Sequence, residues 1–178
     1  MLIQAENFVK IQEEIAPKKA TLVAVSKTKP PAAIQEMYAL GQRDFGENYV
    51  QELVEKQPVL PADIRWHYIG DLQTNKVKNI APFVHLIHGI DSLKLLKEVN
   101  KQAQKAGRVI PVLLQVHIAR EETKFGLDAT ELEQLLESDE LTEMKNVTVN
   151  GLMGMASFSE DKEQVKAEFR ELNSLYDK

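Results

Sequence analysis

A lysine directly follows the first apolar stretch of the chain, and its position suits covalent chemistry. Residues 21–25 (TLVAV) are mostly apolar and β-branched, as in a strand buried on both faces, and Lys27 lies just beyond them. In α/β proteins, functional sites form at the carboxyl ends of parallel strands. A primary amine that an apolar mouth desolvates there can condense with a carbonyl to form a Schiff base. The alternative interpretation is a solvated loop lysine, which is the commoner state of this residue type.

The other side-chain types that could do chemistry form weaker patterns. The chain has no cysteine, which excludes disulfides, thiolate metal sites and cysteine nucleophiles. It contains four histidines: His67, His85, His88 and His117. None of them has the spacing of a known metal-binding motif. We therefore predict no metal site.

Short apolar runs alternate with longer amphipathic segments along the chain, and these are the elements that must position Lys27. The apolar runs predict six strands, at residues 21–25, 43–45, 64–69, 84–90, 109–118 and 147–155. The amphipathic segments predict a leading helix at residues 5–15 and later helices at residues 32–40, 48–56, 72–80, 92–106, 131–137 and 161–176. The Ser-x-x-Glu spacing of residues 157–160 predicts a capping box for the last helix.

The alternation of strands and helices favours parallel pairing, because each helix carries the chain back across the sheet. The predicted strand ends recur about every 26 residues. At that repeat, 178 residues supply about six of the eight units of a (β/α)8 TIM barrel, which typically holds ~250 residues. A doubly wound open sheet usually has a glycine-rich loop after its first strand, and residues 26–31 (SKTKPP) contain no glycine. We therefore predict an α/β fold and a single barrel domain over residues 1–178.

Composition and charge exclude several classes of function. Apolar residues make up 43% of the chain and charged residues 28%, which is typical of a folded globular protein. The formal net charge is −5 and the basic residues are dispersed, whereas nucleic-acid binding normally requires a basic stripe. The chain has no apolar run of membrane-spanning length, and its first residues do not resemble a signal peptide. We expect a soluble, cytoplasmic protein without nucleic-acid or membrane partners.

Five segments together resemble the pyridoxal 5′-phosphate homeostasis protein family. They are residues 24–28 (AVSKT), 45–52 (FGENYVQE), 66–76 (WHYIGDLQTNK), 122–126 (ETKFG) and 151–155 (GLMGM). Each motif alone is weak, but the five follow the family's order and spacing over the whole chain. The resemblance implies a fold like the N-terminal barrel of alanine racemase.

The resemblance also implies a cofactor site for pyridoxal 5′-phosphate (PLP). Lys27 would hold the cofactor as a Schiff base, Asn48 would lie near it, and Met153 would contribute to the mouth of the barrel. Asn48 has an alternative role as a helix N-cap, which is compatible with cofactor contact. Core packing is the favoured alternative for Met153. Lys124 is a further candidate for anionic ligands, with a solvated lysine as the favoured interpretation.

The function that the resemblance implies is that of a non-catalytic carrier and regulator of PLP, acting in vitamin B6 and amino-acid balance. Its partners would be the cofactor itself and apoenzymes that use PLP, and the complete barrel would be a monomer. One alternative is a PLP-dependent amino-acid racemase that uses Lys27, and another is a Schiff-base aldolase without a cofactor. The family pattern continues into strands seven and eight, where phosphate is bound in many barrels. We therefore expect the chain to be the N-terminal part of a longer barrel.

Overall fold

The computed structural model describes residues 4–119 and 126–178. In these two ranges, six strands alternate with eight α-helices. Their bounds are α1 (Ala5–Ile15), β1 (Ala24–Val25), α2 (Pro31–Ala39), β2 (Asp44–Glu47), α3 (Val50–Lys56), β3 (Arg65–Tyr68), α4 (Val77–Ile80), β4 (Leu86–Ile90), α5 (Leu93–Lys105), β5 (Ile110–Val116), α6 (Ala129–Leu136), α7 (Asp139–Glu143), β6 (Val147–Gly154) and α8 (Lys162–Tyr176). No helix within the described ranges combines the length and the apolar character needed to cross a membrane.

The strands form one parallel sheet in the order β1-β2-β3-β4-β5-β6. Each strand pairs with the next one in sequence, because the connecting helix returns the chain to the same end of the sheet. In the described part of the chain, β1 and β6 are therefore the two edges. This order confirms the predicted α/β fold, with six consecutive parallel strands as in part of a (β/α)8 barrel.

The main core lies between the sheet and its helices. On β5, Val112 and Leu114 have no solvent exposure, and both belong to the same cluster of buried apolar residues as Leu96 and Val99 of α5. These helix residues are three apart, so they lie on one face of α5. Packing of this kind holds the strands in place, so that their carboxyl ends and the loops that follow them lie at one edge of the sheet.

Two predicted helix-start signals were wrong. Ser157 does not cap the last helix, because its side chain and backbone N–H both donate to the buried carboxylate of Glu168, at 2.7 and 2.6 Å. The N-cap is Asp161, which accepts from the backbone N–H groups of Glu163 and Gln164. Asn48 does not cap α3 either, because Tyr49 occupies the N-cap position there without a side-chain bond.

Some segments differ from the predicted bounds. The apolar run at residues 21–25 forms a strand only at Ala24–Val25, where it pairs with β2. The predicted helix at residues 72–80 begins as a 3-10 turn at Thr74–Lys76 and becomes α-helical at Val77. The short helix α7, which is capped by Ser138, was not predicted.

Candidate functional site

Lys27 lies in a tight turn that leaves the carboxyl end of β1. The turn begins at Ser26, whose N–H donates to the carbonyl of Gly46 at 2.9 Å, and it closes where Lys29 N–H donates to the carbonyl of Ser26 at 3.1 Å. Thr28 has a φ of 61°, in the left-handed region. The Lys27 side chain is exposed and forms no hydrogen bond or ion pair with any residue that the structure describes. Its amine is therefore presented to solvent at the strand ends, and the expected desolvation by an apolar mouth is wrong for the residues that the structure describes.

A buried charged network lies beneath this turn. The ammonium group of Lys56, on α3, donates to Ser26 O at 2.9 Å, to Glu47 Oε1 at 2.8 Å and to Glu52 Oε2 at 2.7 Å. The Ser26 hydroxyl also donates to Glu47 Oε1, at 2.6 Å, and Thr28 N–H donates to Glu52 Oε2, at 2.8 Å. These bonds connect the last residue of β2, helix α3 and the turn around Lys27. No sequence pattern singles out Glu47, Glu52 or Lys56 individually.

The two carboxylates of this network differ in their electrostatics. Burial raises the pKa of Glu47 above its ordinary value, although hydrogen bonds from Lys56 and Ser26 oppose the shift. Glu47 Oε2 is also buried without a hydrogen-bond partner among the described residues. The hydrogen bond from Lys56 lowers the pKa of Glu52, and the bond from Thr28 N–H adds to that effect. At neutral pH, Glu52 is the more firmly ionised partner of Lys56.

Asn48 occupies the position beside Lys27 at the end of the neighbouring strand. Val25 of β1 pairs with Gly46 of β2, so Lys27 and Asn48 each lie two residues beyond that pair. The side-chain Oδ1 of Asn48 is buried and lacks a hydrogen-bond partner within the described ranges. A buried polar atom of this kind needs a donor. The register thus brings Lys27 and Asn48 to adjacent strand ends, and their contact with a cofactor stays a prediction.

The backbone of Asn48 is held from the β3 side. Tyr68 Oη donates to the carbonyl of Asn48 at 2.9 Å and is also 2.9 Å from the carbonyl of Asp71. Burial, with a smaller contribution from the charge of Asp71, raises the pKa of Tyr68 to about 12. The carbonyl of Asn48 also approaches Gly70 so closely that a Cβ there would lie 2.3 Å from it. Gly70 is therefore required for this packing.

A cleft of about 590 Å³ lies beside Asn48, toward α3 and α4. Its walls include Tyr49, Asp71, Lys76 and Asn79, but not Lys27. A smaller cleft of about 250 Å³ borders the Lys27 turn on the β1 side, where Val25, Ser26 and Lys29 meet α2. Lys27 therefore lines neither cleft, whereas Asn48 lines the larger one.

A second polar cluster, which the sequence motifs do not reveal, lies on the other face of β2. Asp44 accepts hydrogen bonds from Arg65 through both carboxylate oxygens, and its Oδ1 lies 2.9 Å from His67 Nε2. His67 Nδ1 lies 2.9 Å from His88 Nε2, and His85 brings a third imidazole close to Asp44 and His67. Side chains alternate between the two faces of a strand. Asp44 is the first residue of β2 and His67 is the third residue of β3, and this spacing is the sequence signal that could have revealed their shared face.

Carboxylate and imidazole groups such as those of Asp44, His67 and His85 are ligands for divalent metal ions. Their donor atoms lie within 4.8 Å of one another. In the structure, however, Asp44 is hydrogen-bonded to Arg65 and His67, and His67 is hydrogen-bonded to His88. Burial raises the pKa of Asp44, but the hydrogen bonds from Arg65 and His67 outweigh it, so the pKa lies below its ordinary value. Burial and the charge of His67 lower the pKa of His88 to about 4. Asp44 is therefore a carboxylate, and His88 is neutral at pH 7.

Met153 is not brought to this site by any contact among the described residues. Met153 lies on β6, where it pairs in register with Gln115 of β5. It is therefore on the opposite edge strand from the Lys27 turn, and its role at the mouth stays a prediction. Lys124 lies outside the described residues.

Sequence comparison identifies relatives over nearly the whole chain. The family model "alanine racemase, N-terminal domain" matches residues 4–178. The pyridoxal phosphate homeostasis protein of Aquifex aeolicus is 43% identical over 89% of this chain and 69% of its own length. The protein of the same name from Pseudomonas aeruginosa is 36% identical over 96% of this chain and 78% of its own length.

Structural comparison agrees with these relatives. PipY of Synechococcus elongatus, in a structure with PLP bound, is 34% identical and superimposes with a TM-score of 0.87, over 97% of this chain and 80% of PipY. Alanine racemase from Bartonella henselae is 17% identical with a TM-score of 0.72, over 95% of this chain and 48% of the racemase, and that likeness concerns the fold alone. The chain therefore belongs to the alanine racemase N-terminal domain family and, within it, to the pyridoxal phosphate homeostasis proteins.

Proposed function

We propose that this chain binds PLP through Lys27 and serves as a carrier and regulator of the cofactor rather than as an enzyme. The observation that carries the proposal is the place of Lys27 in a held turn at the strand ends, next to Asn48, whose buried Oδ1 has no partner among the described residues. The chemistry that bound PLP supplies is an aldehyde carbonyl, with which a neutral primary amine condenses with loss of one water. The homeostasis proteins named above support the same role.

The residues around Lys27 fit this cofactor. Asn48 Oδ1 is a buried acceptor without a described partner, two residues beyond the β1–β2 pairing that places it beside Lys27. It can accept a hydrogen bond from a bound group with a donor. Met153, from β6, would contribute apolar contact at the mouth. We place the protein in the cytoplasm, as the sequence predicts.

The hydrogen bonds and burial of the neighbouring carboxylates, Glu47 and Glu52, favour a carrier role over a catalytic one. Proton transfer to or from a substrate requires an acid or base within hydrogen-bond reach of the reacting atom. Glu47 is fully buried and Glu52 accepts bonds from both Lys56 and Thr28 N–H, so both carboxylates serve the turn. Lys27 can therefore bind an aldehyde, but neither of these carboxylates is available to transfer a substrate proton.

Reduction with borohydride after incubation with PLP tests the binding site. We expect the wild-type chain to develop a visible absorbance band and, after reduction, to carry the cofactor on the peptide that contains Lys27. The Lys27→Ala variant should lose both signals. Lys29→Ala is the matched control, because it removes an exposed lysine two residues away but keeps the backbone N–H that closes the turn. An adduct on another lysine, or retention of the signal in Lys27→Ala, would overturn the assignment.

The choice between carrier and enzyme is tested with the same purified protein. Incubation of the PLP-loaded chain with L-alanine or L-serine should leave the enantiomeric composition unchanged over many hours. Racemisation that depends on Lys27 would instead identify the chain as an enzyme and contradict the carrier role.

A further inference from the structure

The backbone beside Lys27 adopts a conformation that its sequence does not favour. Thr28 has a φ of 61°. A positive φ is unfavourable for a β-branched residue, because the branched side chain crowds the backbone. Strain of this kind persists only where the surrounding contacts hold it, and it is concentrated at functional sites. The turn around Lys27 therefore requires an external constraint.

The buried network supplies that constraint on both sides of Lys27. Before the lysine, the carbonyl of Ser26 accepts from Lys56 Nζ at 2.9 Å as well as from Lys29 N–H. After it, the N–H of the strained residue Thr28 donates to Glu52 at 2.8 Å. The two peptide groups that flank Lys27 are thus both bonded to side chains of α3, while the Lys27 side chain itself is left exposed.

Lys56 is the centre of this arrangement. Only 6% of its surface is exposed, and a lysine so buried is stable only when its charge is paired. An ammonium group has three hydrogens, and Lys56 has three acceptors, on Ser26, Glu47 and Glu52. Glu52 and Lys56 lie four residues apart on α3, a spacing at which helical side chains meet. One buried cation therefore joins the turn, the end of β2 and the helix.

We propose that Lys56 and Glu52 are positioning residues for Lys27. They hold the 26–29 turn with Thr28 in the left-handed conformation, and so direct the Lys27 amine away from the network and toward the space at the strand ends. This inference rests on the proposed function of Lys27 in PLP binding. It adds that the affinity for the aldehyde depends on two α3 side chains, which are bonded to the Lys27 turn.

The first test measures PLP dissociation constants for single variants. Lys56→Met and Glu52→Ala should each weaken binding at least tenfold and lower the yield of the borohydride-trapped Lys27 adduct. Lys101→Met is the matched control, since it removes an exposed lysine of α5 that pairs only loosely with Glu98, at 3.6 Å. Glu52 is partly exposed, so Glu52→Ala keeps the test valid if Lys56→Met fails to fold. Wild-type affinity in a folded Glu52→Ala variant would overturn the proposal.

The second test asks whether the effect acts through the turn rather than through stability. Glycine adopts a positive φ without steric cost, so Thr28→Gly lowers the need for an external constraint. Adding Thr28→Gly to Glu52→Ala should reduce the loss of affinity from tenfold or more to about threefold. Because relief of the Thr28 strain can itself raise the free energy of unfolding, urea denaturation is measured beside the affinity, and a rescue of affinity that only follows stability would contradict the turn mechanism. An unchanged loss in the double variant would contradict the turn mechanism.

A third measurement is independent of the cofactor. Acetic anhydride labels neutral amines, and peptide mass spectrometry gives the labelling rate of each lysine as a function of pH. In the protein without PLP, Lys56→Met should change the labelling profile of Lys27 at least threefold while leaving that of Lys101 unchanged. If wild-type protein forms no Lys27 adduct, the proposed function fails but this profile still decides the positioning role. An unchanged Lys27 profile would overturn that role even where PLP binds.

Discussion

The two ends of β2 carry two buried carboxylates in contrasting environments. Asp44, the first residue of the strand, faces Arg65 and His67 on the neighbouring strand, whereas Glu47, the last residue, faces Lys56 on α3. They are three positions apart, so strand alternation places them on opposite faces of the sheet. One carboxylate connects strands to each other, and the other connects the sheet to a helix and to the turn of Lys27.

The difference between them shows how the environment sets the pKa of a carboxyl group. The bidentate contact from Arg65, together with His67, lowers the pKa of Asp44 despite its burial. Burial dominates at Glu47 and raises its pKa, even with Lys56 at 2.8 Å. Glu47 also keeps one oxygen without a described partner. Both carboxylate oxygens of Asp44 are therefore hydrogen-bonded. The carboxylate of Glu47 is buried at a higher free-energy cost, and it lies beside the turn that carries Lys27.

The largest expected effect is at the Glu47 end. Lys56→Met should lower the free energy of unfolding by about 3 kcal/mol, because removing one partner of a buried ion pair leaves the other charge unpaired. The raised pKa of Glu47 keeps the loss near the lower end of that range, since the carboxyl can take up a proton instead. Urea denaturation at pH 7 measures the change. Lys101→Met should have little effect, and an equal loss in both variants would remove the distinction between buried and exposed lysines.

A smaller effect is expected at the Asp44 end. Asp44→Asn should cost about 2 kcal/mol, because it weakens the charge-assisted hydrogen bonds from Arg65 and His67 but leaves a polar group that can still accept. Asp63→Asn is the control, as Asp63 also pairs with an arginine, Arg43, but is exposed. We expect the control to cost clearly less. If denaturation gives Asp44→Asn a larger loss than Lys56→Met, our ranking of the two ends is wrong.

The pH dependence should have opposite signs at the two ends. The folded-state pKa of Asp44 lies below its ordinary value of 3.8, so its contribution to stability is present above that pH and is lost as the pH falls through the folded-state pKa. The folded-state pKa of Glu47 lies above 4.5, so its contribution is present below that pH and is lost as the pH rises through the folded-state pKa.

Denaturation of wild type, Asp44→Asn and Glu47→Gln between about pH 3 and pH 7 measures both contributions. The cost of Asp44→Asn should grow as the pH rises, while the cost of Glu47→Gln should shrink. Parallel pH profiles for the two variants would show that the two carboxyls experience the same environment.

Much of the fold could be predicted because it follows from local patterns. The apolar run before Lys27 indicated a strand, and the amphipathic segment at residues 92–106 indicated a helix, which the structure confirms as α5 with Leu96, Val99 and Ala103 buried. The predictions failed where a local signal competed with a distant contact. Ser157 has a capping pattern with Glu160, but the carboxylate of Glu168 takes both of its hydrogen bonds. Asn48 suits an N-cap, but the chain continues extended to Tyr49 before α3 begins.

The sequence by itself determined that strands alternate with helices and that a lysine follows the first strand, since both depend on residues close together in the chain. Only the tertiary structure decided the partners of the charged residues. Lys56 meets the carbonyl of Ser26 across 30 residues of chain, and Asp44 meets His67 across 23. Sheet register and helix packing set such contacts, and no local periodicity encodes them. The position of Lys27 after the first strand was therefore predictable, whereas the network around its turn was not.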